Sequence, residues 1–291
     1  MRHAVLVMAH GNLKVLTICM RILDSELFEF YIHIGAKTNV DTNCLLKICK
    51  HSKVFITKRI PVYWGDFTQI EAELLLLKNA VKGNYDYYHL ISGADLPIKT
   101  STQINNFFER AENNGKIFVK PFYTSQEFKK NKNRITWKYP FIYKMKRDSN
   151  KYKNLLKKVL FTRVLKIPKS KNNLVKSMRW NVYIGETWFS IPHDVVLKLI
   201  DMEGFIRKYF KDGYTVDEAF LITIVKNIPE LNKRHSAIRT RYIDWKRGNP
   251  YVWKITDANE LISSDCLFAR KFDYEQDNKI VEYIKNYFLN K

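Results

Sequence analysis

Apolar residues recur along this chain in two spacings. Short, mainly apolar runs at Ala4 to Ala9, Phe28 to Ile34, Val54 to Ile56 and Tyr85 to Ile91 have the length and the aliphatic and aromatic content of buried strands. Between them, Leu13 to Asp24 and Leu74 to Ala80 read as helices, the second dense enough in leucine to predict burial on more than one side. Thr68 and Glu71 read as a capping box opening that second helix. Strand, helix, strand, helix, strand is the order of crossover units, so the pattern predicts an α/β protein with a mostly parallel sheet.

The alternation continues downstream. Thr100 to Gln103 leads into a capped helix ending near Ala111, Lys116 to Val119 reads as a strand, and Tyr183 to Ile191 as another. Gly185 there predicts a bulge or a close backbone approach. Val195 to Phe210 predicts one amphipathic helix, and Tyr274 to Phe288 a closing helix.

One strand ends unusually. Tyr87 to Ile91 runs into Ser92-Gly93-Ala94-Asp95, and Pro97 then bars a central strand from continuing, which predicts a carboxylate at a strand mouth. In layered α/β proteins ligands sit at the carboxyl ends of strands. His10, Trp64, Gly65 and Asp95 all fall in connections of this kind, although an isolated His or Trp in a loop serves structure as readily as chemistry. Glu186 beside Trp188 reads either as a saccharide platform, an aromatic face with a polar rim, or as core. Asp217 and Glu218 precede an apolar helical run. Thr215 and Glu218 fit a capping box, and Glu218 equally fits a carboxylate aimed as a general base from a first helical turn.

Composition narrows the class. A chain of 291 residues with 46% hydrophobic content can bury a large core, which excludes wholesale disorder and predicts a single domain over 1–291. The net charge of +21 implies an anionic partner: a nucleotide diphosphate, a membrane face or nucleic acid. From 146 to 179 lysine and arginine crowd a stretch with Asp148 as its one carboxylate, and apolar residues recur at helical spacing. That basic helical insertion reads as a membrane-surface element or as a solvated covering helix. Neither Gly-x-Gly-x-x-Gly nor a Walker phosphate loop is present, so phosphate binding falls to side chains. Four cysteines lack zinc spacing. The apolar run at the N-terminus is too short for a span or a secretory signal, so the expectation is cytoplasmic exposure, with peripheral attachment to the inner membrane face through the basic insertion.

Taken in order, Ala4 to His10, Tyr31 to Ile34, Val62 to Thr68, Tyr87 to Lys99, Tyr183 to Ile191, Val216 to Ile224, Arg241 to Trp245 and Leu267 to Asp273 resemble the core-2/I-branching enzyme family. These are branching N-acetylglucosaminyltransferases related to peptide O-xylosyltransferases, with bacterial-type members. The resemblance implies a GT-A type fold and inverting transfer from a UDP-sugar to a saccharide hydroxyl, with no metal and no other cofactor. It implies that Glu218 is the general base and that Lys271 stabilises the diphosphate.

For a second diphosphate cation, register lands on Tyr251, which is not basic, and Arg239, Arg241 and Lys254 compete for the role. Relatives commonly carry an acid where this chain has Gly35. By the same resemblance His10, Trp64, Gly65 and Arg270 fall on the donor side, Asp95, Glu186 and Trp188 on the acceptor side, and Asp217 beside the base. The implied acceptor is a cell-surface or lipid-linked saccharide. A noncatalytic saccharide-binding protein and a basic nucleic-acid-binding protein are the other classes. The first needs no pairing of Glu218 with Lys271, and the second predicts steep salt dependence and leaves the Asp95 turn without a purpose.

Overall fold

The computed structural model describes residues 1–122, 133–139, 152, 167–169 and 172–290. Most of the basic stretch from 146 to 179 lies outside the described residues, and so does most of the run Trp137-Lys138-Tyr139-Pro140-Phe141-Ile142-Tyr143, whose sequence reads either as an aromatic acceptor wall or as a covered edge.

The predicted strands form, with small changes of boundary. β1 (His3–Ala9), β2 (Phe28–Ile34), β3 (Val54–Ile56) and β4 (Tyr87–Ser92) alternate with α1 (Lys14–Leu23) and α2 (Thr68–Ala80). β5 (Asp95–Pro97) and α3 (Ser101–Glu109) follow, the helix capped reciprocally by Thr100 and Gln103. Next come β6 (Ile117–Pro121), β7 (Gly185–Pro192), α4 (His193–Asp201) and α5 (Glu203–Phe210). α6 (Phe220–Asn227), α7 (Pro229–Arg234) and β8 (His235–Ser236) lead to β9 (Arg241–Ile243), α8 (Ala258–Ser263), β10 (Phe268–Arg270) and α9 (Asn278–Leu289).

Seven strands make one mixed sheet in the order β8-β6-β7-β4-β1-β2-β3. β7 runs antiparallel to both β4 and β6, and every other neighbouring pair is parallel. Three further strands form a small sheet, β9-β10-β5, in which β10 pairs with Asp95 to Pro97. This explains Pro97. The central strand has already ended at Ser92, and Pro97 lies within β5 at the edge of the second sheet, where a missing N–H is tolerated. Apolar cores lie on both faces of the large sheet, one against α2, α4, α5 and α6 and the other against α1, α3 and α9.

Three expectations about helix ends are corrected. Val195 to Phe210 is two helices that meet at Met202. At α2 the N-cap residue is Phe67, which has no capping side chain; Asp66 before it accepts the Thr68 amide, while Thr68 Oγ1 accepts the Tyr63 amide and Glu71 pairs with Arg207. Thr215 adopts a left-handed conformation and donates its hydroxyl to the carbonyl of Tyr214, so it forms no box with Glu218. Competition from these neighbouring groups, which local spacing does not reveal, decides each case.

A buried polar line crosses the large sheet. Asn105 Oδ1 meets His3 Nε2 at 3.1 Å, His3 Nδ1 meets His89 Nε2 at 3.0 Å, and His89 Nδ1 meets Ser190 Oγ at 2.8 Å. Arg241 NH1 donates to Ser190 Oγ at 2.7 Å, which ties the small sheet into the large one.

Candidate active site

The carboxyl ends of β1 and β4 lie side by side, because the two strands run parallel in register from His3 and Tyr87. His10 follows the first, and Ser92 with Asp95 the second. Asp95 is buried at 1% exposure, with Oδ2 accepting the Ser92 amide and Oδ1 accepting the Ser92 hydroxyl. Arg270, at the end of β10, reaches the same Oδ1 at 2.9 Å and donates to the Ser92 hydroxyl as well. Its guanidinium carbon lies 4.7 Å from the centre of the Trp188 ring. Asp95, Arg270 and Trp188, assigned by sequence to opposite sides of the cleft, are therefore one stack, and Asp95 lies beneath it.

Lys271 follows directly, with its backbone bound to Tyr251 and Trp253. Burial, then Arg270 and then Lys271 lower the pKa of His10, which places all three groups in one electrostatic neighbourhood. Tyr251, the residue found by register, does lie next to Lys271. A basic group that sequence reasoning missed covers it: the Arg247 guanidinium sits 4.3 Å above the Tyr251 ring, held by Asp244, Asp257 and Glu260.

The competing cations separate clearly. Arg241 is buried, donating to Ser190 and Thr240 side chains and to the carbonyls of Leu90 and Phe189. Burial lowers its pKa to about 10, and Glu186 and Asp95 counteract that. Of the three candidates for a second diphosphate cation, Arg241 is the one whose guanidinium is committed to the junction of the two sheets. Arg239 spends its guanidinium on the carbonyls of Arg241 and Ile243. Lys254 is exposed, and its amide is bound by Asp257.

Glu218 lies on a second wall. The backbone from Val216 to Glu218 forms one 3₁₀ turn before α6, and Arg134 NH1 reaches Glu218 Oε2 at 2.5 Å. The Glu218 side chain is 33% exposed. Arg134 was not legible in the sequence, since it belongs to a four-residue helix, Asn133–Thr136, with no motif of its own. Its carbonyl also accepts the Tyr214 amide, which ties this helix to the loop before Glu218.

Asp217 points the other way. It is buried, Oδ2 accepts Thr187 Oγ1 at 3.0 Å and Gln69 Nε2 at 3.1 Å, and Oδ1 has no hydrogen-bond partner among the described residues. Burial, then the Glu218 charge, pushes its pKa up to about 7. Glu73, one turn after Gln69, is fully buried with neither carboxyl oxygen hydrogen-bonded, and burial then Asp217 raise its pKa well above the usual carboxylate range.

Gly65 connects the walls. Its φ of +72° is a conformation that favours glycine, and an added Cβ would stand 2.8 Å from the Tyr214 ring. Trp64 beside it is 72% exposed and meets Tyr214 edge-on, with ring centres 5.8 Å apart. Glu186, at the start of β7, is buried, with Lys120 3.8 Å away, and burial raises its pKa. Gly185 just before it packs against the Lys120 carbonyl, where an added Cβ would come within 2.5 Å, and the β6–β7 register shifts there. Among the described residues no three His, Cys, Asp or Glu side chains group as a metal site.

Residues 4–262 match the model of a family described as Core-2/I-Branching enzyme. A human beta-1,3-galactosyl-O-glycosyl-glycoprotein beta-1,6-N-acetylglucosaminyltransferase is 20% identical over 323 residues, covering 98% of this chain and 69% of the relative. The corresponding enzyme 3 of Bos taurus is 21% identical over 275 residues, covering 84% of this chain but 57% of that protein. The chain thus spans between about half and two thirds of the length of these relatives. Among solved structures, mouse xyloside xylosyltransferase 1 in its apo form aligns over 92% of this chain and 96% of its own, at 9% identity and a TM-score of 0.39. S. aureus TarS 1-349 aligns over 42% of this chain and 36% of its own, at 13% identity and a TM-score of 0.30.

Proposed function

The chain belongs to the core-2/I-branching enzyme family, and on that premise we propose that it is an inverting transferase moving a sugar from a UDP-sugar to a saccharide hydroxyl. N-acetylglucosamine is the favoured donor sugar, following the activity for which the human and bovine relatives are named.

One observation carries the proposal. Glu218 is not consumed as a helix cap; its carboxylate is partly exposed and held by Arg134 in the turn before α6. A single-displacement transfer needs a base on one face of the anomeric carbon and stabilisation of the departing diphosphate on the other. Glu218 takes the acceptor proton as the hydroxyl oxygen bonds to the anomeric carbon, and the bond from that carbon to the UDP oxygen breaks. Lys271 and Arg270 neutralise the charge that develops on the diphosphate, so that cations of the chain do the work a metal would do elsewhere. His10, with its pKa lowered by burial and then by those same cations, borders the phosphates. Trp64 and Gly65 line the nucleotide side. Trp188 and Glu186 face the acceptor sugar, with Asp95 acting through Arg270.

The acceptor is a cell-surface or lipid-linked saccharide, and the basic stretch from 146 to 179 brings the enzyme to an anionic membrane surface, where each lysine or arginine contributes about 1 kcal/mol. No helix of the described residues is long and apolar enough to cross a membrane.

The deciding experiment is Glu218→Gln with UDP binding measured by calorimetry and transfer by product mass across UDP-GlcNAc, UDP-Gal, UDP-Glc and UDP-Xyl. Binding within about threefold of wild type with transfer reduced at least 100-fold is expected. Full transfer by the variant would overturn the role of Glu218, and loss of wild-type transfer in EDTA would overturn the metal-free mechanism.

A further inference from the structure

Gln69 belongs to no motif, yet its side chain joins the donor-side turn to the base. From the first turn of α2, Oε1 accepts the Gly65 amide at 2.6 Å and Nε2 donates to Asp217 Oδ2 at 3.1 Å. The same turn is gripped a second time where the Thr215 amide donates to the Gly65 carbonyl at 2.8 Å. We propose that Gln69 is a positioning residue, which fixes the Gly65 turn and the Asp217–Glu218 pair at one separation and thereby sets the distance between donor and base. This rests on the reading of Glu218 as the base and deepens it.

The chemistry of the residue is specific. Gly65 offers a donor and Asp217 an acceptor, and a neutral side chain of this length that accepts at one atom and donates at another is an amide. Asparagine is one methylene short, methionine offers neither contact, and glutamate supplies the donor only when protonated. Thr187 from β7 donates to the same oxygen of Asp217, so α2 and β7 converge on the residue whose peptide leads into Glu218. The charged groups facing Asp217 are Glu73 from α2, Glu218 from its own turn and Arg134 from the opposite side.

Displacements near one ångström between a base and its substrate reduce rates by up to about 100-fold. Gln69→Met is therefore expected to lower kcat about 10- to 100-fold while the acceptor KM stays within about threefold, because the acceptor wall is untouched. Hydrogen exchange read by mass spectrometry should quicken in peptides covering both 62–68 and 213–219. A second variant, Gln69→Glu, keeps the Gly65 contact but can hold Asp217 only through a shared proton. Its kcat should fall with rising pH as that proton leaves, a fall that wild type lacks.

Unchanged exchange at 213–219 in Gln69→Met, or kcat within twofold of wild type in both variants, would overturn the proposal. Should Glu218→Gln retain transfer, the assignment of the base fails, and the coupled exchange of the two segments still decides whether Gln69 links them.

Discussion

Arg270 donates to Asp95 across 2.9 Å, its partner directly opposite in the small sheet, and also to the hydroxyl of Ser92, where a central strand of the large sheet ends. Asp95 is buried and Arg270 nearly so, which makes the pair sensitive to the loss of either member alone. Arg270→Ala leaves a buried carboxylate facing only Ser92 and is expected to cost about 3 to 5 kcal/mol in urea unfolding. Adding Asp95→Ala should restore part of that stability, and an additive double mutant would show that the contact is not coupled.

Lys271 provides the contrast. Its backbone is bound, while its side chain makes no hydrogen bond or ion pair among the described residues. Lys271→Ala should leave the melting midpoint within about 2 °C of wild type, since surface changes away from such features cost little, and weaken UDP at least tenfold by calorimetry. Unaltered UDP affinity would remove Lys271 from the diphosphate site.

Asp217 makes stability depend on pH in a definite direction. Its pKa near 7 lies above its unfolded value of 3.8, so its favourable contribution is complete below about pH 4 and is lost as pH rises through 7. Asp217→Asn removes that dependence. The difference in unfolding free energy, variant minus wild type, should therefore grow between pH 4 and pH 7.5, by up to about 1.4 kcal/mol per unit. A pH-independent difference would mean that Asp217 ionises normally.

The buried histidines act oppositely. Burial lowers His3 to about 4 and holds His89 well below its usual range. Their contribution is complete above about pH 6.5 and is lost as pH falls toward 4. His3→Leu leaves Asn105 and His89 without their shared partner, at a cost of about 1 to 3 kcal/mol at pH 7.5. Its urea midpoint should approach that of wild type at pH 5, and an undiminished gap would contradict the linkage.

Gly185 tests the proposed placement of the acceptor against Glu186 and Trp188. A methyl group there meets the Lys120 carbonyl at 2.5 Å, a contact that backbone must yield to. Gly185→Ala is expected to destabilise by about 1 to 3 kcal/mol and to raise the acceptor KM with little effect on UDP affinity, because Glu186 and Trp188 follow on the same strand. Steady-state kinetics and thermal melts separate the two effects.

Much of this architecture was legible before the structure. Phe28 to Ile34 and Val54 to Ile56 form strands within their expected bounds, because buried strands announce themselves by short aliphatic runs. The close approach at Gly185 was equally readable. Two helix starts were not: Thr68 with Glu71 and Thr215 with Glu218 fit capping boxes by spacing, but the threonines bond the nearby Tyr63 amide and Tyr214 carbonyl, and the glutamates pair with the distant Arg207 and Arg134. The cations show the same limit. Composition cannot distinguish Arg241, spent on strand carbonyls, from Arg270, which fronts the cleft, because burial depends on the second sheet. Gln69 carried no signal, since a surface glutamine in a first helical turn is ordinary.

The polar line from Arg241 to Asn105 has a direction. An arginine can only donate and an amide oxygen only accept, so with both imidazoles neutral every proton points away from Arg241: from Ser190 to His89, from His89 to His3, and from His3 to Asn105. No link can be reversed by itself. The four contacts form one aligned dipole with its negative end toward Arg241 and its positive end toward Asn105, and a proton added to either ring breaks the sequence for both. The two histidines therefore count as a single cooperative element, while Arg241 also holds the sheets together through the carbonyls of Leu90 and Phe189.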